Sequence, residues 1–174
     1  DGSLTIESGA SLVQVNAVTN EANHYTGKNE GTVTVKRNTS PLFRYDYTYW
    51  STPVSPQVLI DISPDSPTNL VYQYSANQDN WIAINPNNVM RPGKGYILRA
   101  PLHYNLNPGM PLVHTAEFEG VPNNGTIKMP VIGGEGKLNL LGNPYPSALN
   151  ATSFITANLN VGGTLYFWTH NTQS

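Results

Sequence analysis

Cysteine is absent from the 174 residues, which excludes disulfide staples, thiolate metal sites and thiol catalysis. Charge is scarce as well: Asp, Glu, Lys and Arg make up 11% of the chain, against roughly a quarter in an ordinary soluble domain. Nine Lys and Arg against eleven Asp and Glu leave a formal charge of −2, and the cations are scattered, with Lys36 and Arg37 the one adjacent pair. Nucleic acids and anionic bilayers are recognised by clustered cations, so neither is an expected partner. No apolar run approaches the roughly 18 residues of a membrane-spanning helix, so no membrane span is expected. A secretory signal is missing and Asp1 is not a natural first residue, so the sequence reads as a processed or excised piece of a longer polypeptide. The nucleophile elbow, the phosphate loop and the dinucleotide fingerprint are all lacking.

Asn, Thr, Ser, Gly, Pro and Tyr take the place of the charges. Asn, Ser and Thr compete with a helix for its own hydrogen bonds and favour turns and strands. Ten Tyr, four Phe and three Trp supply apolar area for a core. The chain is therefore expected to be all-β, a β-sandwich or jelly-roll-like domain preceded by short β-solenoid-like rungs.

The first unit covers residues 1–40, read as solenoid-like or linking strands. Leu4 and Ile6 alternate with polar neighbours, Val13 and Val15 do so again after a Ser-Gly corner, and Val33 and Val35 follow a polar loop holding Asn20, Asn23 and Gly27. Short strands with glycine corners suggest stacked rungs, with an ordinary meander as the alternative. The second unit covers residues 41–174, a sandwich-like module expected to be incomplete at its C-terminus. Tyr45 to Trp50 alternates strictly, which puts Tyr45, Tyr47 and Tyr49 on one face and Asp46, Thr48 and Trp50 on the other. Leu70–Tyr74 and Trp81–Ile84 make a hairpin around Asn77–Asn80. Arg91–Gly95 is turn chemistry ahead of a strand from Tyr96 to Ala100. Thr115–Glu119 and Thr126–Val131 are expected to pair through the Asn124-Gly125 turn. Lys137–Leu141 is a strand, Ser147–Asn158 holds the one short helix, with Leu149, Phe154 and Ile155 on its buried side, and Leu165–His170 is a last strand that suggests a polypeptide running on.

Candidate chemistry is thin. His24, His103, His114 and His170 form no metal-binding spacing. Glu117 and Glu119 share a strand face, a separation compatible with a glycosidase pair, but such pairs are common on solvated faces. Asp61–Asp65 and Asn77–Asn80 offer oxygen ligands without the spacing of a known calcium loop, and turns favour these residues anyway. No metal, no cofactor and no enzymatic activity are expected. The aromatic residues carry more promise. Tyr45, Tyr47 and Tyr49 are candidate ligand-binding residues, because tyrosines on a sheet face present apolar rings with polar edges to sugars; the alternative is a covered sheet face. Trp50, Trp81 and Trp168 read as core.

Three blocks carry a resemblance: Tyr45-Asp46-Tyr47-Thr48-Tyr49-Trp50-Ser51-Thr52-Pro53-Val54, then Pro92-Gly93-Lys94-Gly95-Tyr96-Ile97-Leu98-Arg99-Ala100-Pro101, then Leu140 to Ala148 with Gly163 to Asn171. In this order, over Pro41 to Gln173, they resemble a module of large exported surface proteins of Bacteroidota, above all flavobacteria. Such proteins usually carry a C-terminal type IX secretion sorting domain, which this sequence does not contain, and many are gliding-motility adhesins. The resemblance implies a non-catalytic structural or adhesive module at the bacterial cell surface. Its implied partners are neighbouring modules of the same polypeptide, surface glycans and the type IX export machinery. The alternative is a carbohydrate-binding module attached to an exported enzyme.

Overall fold

The computed structural model describes residues 3–16, 28–104 and 110–167. It is built almost entirely of strands: β1 (Leu4–Ile6), β2 (Val33–Asn38), β3 (Tyr47–Trp50), β4 (Val54–Ser55), β5 (Val71–Ser75), β6 (Asn80–Ala83), β7 (Tyr96–Arg99) and β8 (Thr115–Pro122), followed by one helix, α1 (Ala151–Ala157). Among the described residues the chain is all-β apart from that helix and a single 3₁₀ turn at Ile60–Ile62. The strands form two four-stranded sheets, in the orders β1-β2-β8-β4 and β3-β7-β5-β6.

β8 organises the first sheet. Its residues alternate between exposed and buried from Thr115 to Gly120, so Ala116 and Phe118 point inward and Glu117 and Glu119 outward. One edge pairs antiparallel with β2, in the register Val35 to Phe118 and Lys36 to Glu117. The other pairs with β4, Val54 facing Pro122 and Ser55 facing Val121. β1 adds to β2 in parallel, Leu4 beside Val33 and Ile6 beside Val35. The second sheet is antiparallel throughout. Its inward residues, Trp50, Val71, Tyr96 and Leu98, join Ile6, Val33, Val35, Val54, Ala116 and Phe118 in one buried cluster. The strands β1 and β2 thus share a sheet, and Ile6, Val33 and Val35 a core, with the later strands. A smaller cluster of Leu42, Ala100 and Tyr104 lies apart from it.

A network of amides closes the structure where four loops meet. Buried Asn123 donates through Nδ2 to Thr52 O at 3.0 Å and Pro144 O at 2.9 Å, and accepts from Ser55 Oγ at 2.7 Å. Gln14 donates to Asn123 O at 2.9 Å, and Asn16 and Asn124 exchange hydrogen bonds at 2.6 and 3.1 Å.

Several expectations need correction. Residues 11–16 form no strand, and the outward residues are Val13 and Val15, at 73% and 93% exposure. The polar phase faces in instead, because Gln14 and Asn16 satisfy the amides of the turn after β8, while Leu12 alone packs on the core. Thr126–Val131 is not a strand and makes no hairpin with β8. Both edges of β8 are already paired, and Asn124 is committed to Asn16 and to its neighbour Gly125 N. Lys137–Leu141 contributes only an isolated bridge from Leu141 to Lys94. The helix forms inside the expected stretch, capped by Asn150 Oδ1 accepting from Ser153 N at 2.8 Å, but it buries no residue; Phe154 and Ile155 are half-buried and Leu149 is exposed. Residues 165–167 form no strand, and Tyr166 and Phe167 are exposed. Trp168, His24, His170 and the loop residues Asn20, Asn23 and Gly27 lie outside the described residues.

Candidate functional site

The outer face of the second sheet gathers aromatic residues from three strands. Alternation along β3 turns Thr48 and Trp50 inward, so Tyr47 and Tyr49 face outward, half-buried, with Tyr45 beyond them in the turn before the strand at 59% exposure. Tyr47 and Tyr49 thus share the outer face of β3, while the expected alternation does not reach Tyr45, which lies before the strand with its ring, like that of Tyr47, against the Arg99 guanidinium. That turn is held by buried Asp46, whose Oδ2 accepts from Phe43 N at 2.9 Å and whose backbone O accepts from Ala100 N at 2.8 Å.

The registers supply the rest. Tyr47 lies opposite Arg99, Tyr49 opposite Ile97, Ile97 opposite Tyr72, and Tyr74 opposite Trp81. The rings meet across these strands: Tyr47 and Tyr72 are tilted with centroids 6.1 Å apart, while Tyr49 and Trp81 at 6.1 Å and Tyr74 and Trp81 at 5.4 Å meet edge to face. Each such pair contributes about 0.5–1.5 kcal/mol beyond its buried area. Trp81 stands at the open edge at 37% exposure, which corrects its assignment to the core; Trp50, at 9%, is core as expected. The Arg99 guanidinium lies 4.5 Å from the Tyr45 ring centroid and 5.4 Å from that of Tyr47, while its Nε donates to Arg44 O at 3.1 Å. Stacking and that single bond hold the cation in a fixed orientation.

One end of the face is closed by the chain itself. A Cβ on Gly95 would sit 2.4 Å from Leu140 Cγ, so the Leu140 side chain rests directly on that backbone and only glycine fits beneath it. Lys137 Nζ donates to Asn77 O at 3.4 Å and brings the same segment to the β5–β6 turn. Burial pushes the Tyr49 hydroxyl up; burial, then charge and hydrogen-bond interaction with Tyr47, do so for Tyr72 against an opposing pull from Arg99; the hydrogen bond to Asp79 does so for Tyr74. The face is thus a surface of rings, hydroxyl edges and one oriented cation, suited to stacking and hydrogen bonding.

The other candidates give less. Glu117 and Glu119 line an open depression of about 530 Å³ with Thr34, Gln57 and Asp61. Glu117 is paired to Lys36 at 3.4 Å, and both carboxylates are exposed, which gives neither the burial nor the separate environments that an acid and base pair requires. His103 pairs with Asp65 at 3.6 Å on the surface. His114 is largely buried between Trp50 and Tyr104, at centroid distances of 6.3 and 6.2 Å. Burial pushes its pKa down; a hydrogen bond with the Ile62 backbone opposes this, His103 adds to it, and Asp65 opposes it. Among the described residues no three His, Asp or Glu side chains converge as a metal site. The Asp79 carboxylate accepts from the Tyr74 hydroxyl at the positive-φ corner of the hairpin.

The aromatic face extends beyond the three tyrosines recognised in the sequence: Tyr72, Tyr74, Trp81 and Arg99 were missed. The signal was there in the alternation of Tyr72 and Tyr74 and in the hairpin, whose register sets Tyr74 beside Trp81. No curated protein and no solved structure matches the chain. Over residues 1–174 it matches the family model described as a domain of unknown function, DUF8693, and the chain belongs to that family.

Proposed function

We propose that the chain is a non-catalytic structural and adhesive module of a large secreted protein on the bacterial cell surface, and that the outer face of the β3-β7-β5-β6 sheet is its contact surface. The observation that supports this reading best is the face itself. It holds six aromatic side chains, five of them on regular strands, and a stacked arginine, and Trp81 and Tyr45 remain open to solvent. Rigid aromatic residues on a sheet cost little conformational entropy when a ligand docks. The low charge of the chain fits contact by stacking rather than long-range steering.

The module is of sandwich or jelly-roll-like form. Two sheets whose inward residues share one cluster support that reading. The parallel, in-register β1 and β2 are consistent with solenoid-like rungs leading into it. Surface location, type IX export, a role in gliding and contact with neighbouring modules rest on the resemblance of the three sequence blocks. The second reading, a carbohydrate-binding module attached to an exported enzyme, draws on the same aromatic face and differs in what the polypeptide carries elsewhere.

The test uses intact cells. Antibody to this segment should label them without permeabilisation, and clean deletion of the segment should lower attachment or gliding. Signal confined to the cytoplasm would refute the location, and normal attachment after deletion would refute the adhesive role.

A further inference from the structure

Asn124-Gly125, in the loop after β8, is the one place in the chain where asparagine precedes glycine. We propose that Asn124 is a self-modification site: the backbone nitrogen of Gly125 closes on its side chain, ammonia leaves, and the aspartate or isoaspartate that results loosens the amide network.

The nucleophile is in place. Gly125 N donates to Asn124 Oδ1 at 2.8 Å, so the backbone nitrogen lies against the carbonyl group it would attack. An asparagine whose side chain is held elsewhere is shielded from the next nitrogen; this one is held against it. Gly125 has no Cβ to screen that nitrogen, and its φ of 71° is a conformation that glycine takes at no steric cost. Both residues are half-buried, so water reaches them.

The electrophile is oriented too. Asn124 Oδ1 also accepts from Asn16 Nδ2 at 2.6 Å, while Asn124 Nδ2 donates to Asn16 Oδ1 at 3.1 Å and to Asn29 Oδ1 at 3.5 Å. These bonds fix the plane of the amide. As Gly125 N adds to Cγ, negative charge gathers on Oδ1, where the Asn16 N–H already stands to stabilise it. Water is the only co-reactant. Hydroxide takes the proton from Gly125 N, and the nitrogen forms its bond to Asn124 Cγ. The Cγ–Nδ2 bond then breaks, and Nδ2 takes a proton from water and leaves as ammonia. Water opens the cyclic imide at either carbonyl, giving aspartate or isoaspartate.

The change undoes a joint. A carboxylate at position 124 has no N–H for Asn16 Oδ1 or Asn29 Oδ1 and sets a charged oxygen against them. Gln14 donates to Asn123 O at 2.9 Å and Asn29 to Pro122 O at 2.8 Å, so residues 14–16 and Asn29 are tied to the turn after β8 through this cluster. Isoaspartate also adds a methylene to the backbone between two anchored points. On one side Asn123 is held by Thr52 O and Pro144 O, and on the other Gly125 O accepts from the Tyr145 hydroxyl at 2.7 Å. The loosening runs one way, because the ammonia is lost.

The experiment is peptide mapping by mass spectrometry of the purified protein, held for days at neutral and at mildly alkaline pH. Asn124 should show the mass gain of an amide turned acid before any other asparagine does, faster at the higher pH, with isoaspartate among the products. The converted protein and Asn124→Asp should each melt about 2–8 °C below fresh wild type, the loss of one or two hydrogen bonds. Asn16→Ala removes the donor to Oδ1 and should slow conversion about tenfold, as expected for a hydrogen bond to an oxygen that becomes charged. Should Asn16→Ala not fold, Asn16→Asp keeps the shape, removes the same donor and carries the same expectation. Conversion in these variants as fast as in wild type, or faster, would mean that the network shields the site and would overturn the proposal. So would another asparagine converting first, or converted protein melting with the fresh.

Discussion

Replacing Asn123 tests whether the amide network, rather than the sheets alone, closes this structure. Its side chain is 8% exposed and joins three segments through two donated bonds and one accepted bond, at 3.0, 2.9 and 2.7 Å. Each such bond contributes about 1 kcal/mol net, and more when a buried carbonyl is left without a donor. Asn123→Ala strands two carbonyls and one hydroxyl, so the expected loss is about 3 kcal/mol. For a chain of this size that is a fall of about 6–12 °C in melting temperature. Asn123→Asp sharpens the test. It keeps the acceptor for Ser55 but faces two carbonyl oxygens with a carboxylate, so its folded pKa lies above the unfolded value of about 3.9. A raised folded pKa means stability that is present below the unfolded value and lost as pH rises through the folded one. Asn123→Asp should therefore trail the wild type most at neutral pH and recover towards it near pH 4. Thermal melts of all three proteins from pH 4 to 8 read this directly. An Asn123→Ala protein melting within a degree of wild type, or an Asn123→Asp deficit independent of pH, would refute the reasoning.

Other outcomes follow from the same geometry. Phe118→Ala, at a side chain 1% exposed between the two sheets and 5.9 Å from the Trp50 ring, should cost about 3–5 kcal/mol by chemical denaturation. Val13→Thr and Val15→Thr should change stability by less than about 0.5 kcal/mol, whereas Leu12→Ser should destabilise measurably; the reverse order would mean the inward phase is misassigned. His114 is depressed below its ordinary 6.5 by burial, so the stability it contributes is complete above 6.5 and is lost as pH falls through the lower folded value. Melting temperature should drop over that range, and less steeply in His114→Gln; His103 and Asp65, which face it, should be replaced in parallel to separate their charges.

What was legible in the sequence was local. Strict alternation gave the faces of β3, the Pro-Gly turn placed β7, and Asn and Asp in the right places gave the β5–β6 hairpin, because each depends on side-chain period and turn chemistry within a few residues. Long-range pairing was not legible. Val33–Asn38 carries the same pattern whether it stacks as a rung or pairs with β8 some eighty residues later, and nothing local selects between them. Asn124-Gly125 failed as a hairpin signal because the side chain was committed to Asn16, a contact across 108 positions. Val13 and Val15 misled for a related reason: hydrophobicity predicts the inward phase only where the opposing surface is apolar, and here it is a cluster of amides. The site was half visible. A row of tyrosines can be read from one strand, but the arginine and tryptophan beside it depend on which strands are neighbours.

The central claim is that the aromatic sheet face makes the contact. It is tested most directly by the attachment of cells whose copy of this segment carries Tyr49→Ser and Trp81→Ser together, with surface display confirmed by antibody. The account predicts attachment as low as in cells lacking the segment. Attachment equal to wild type, at equal display, would contradict it.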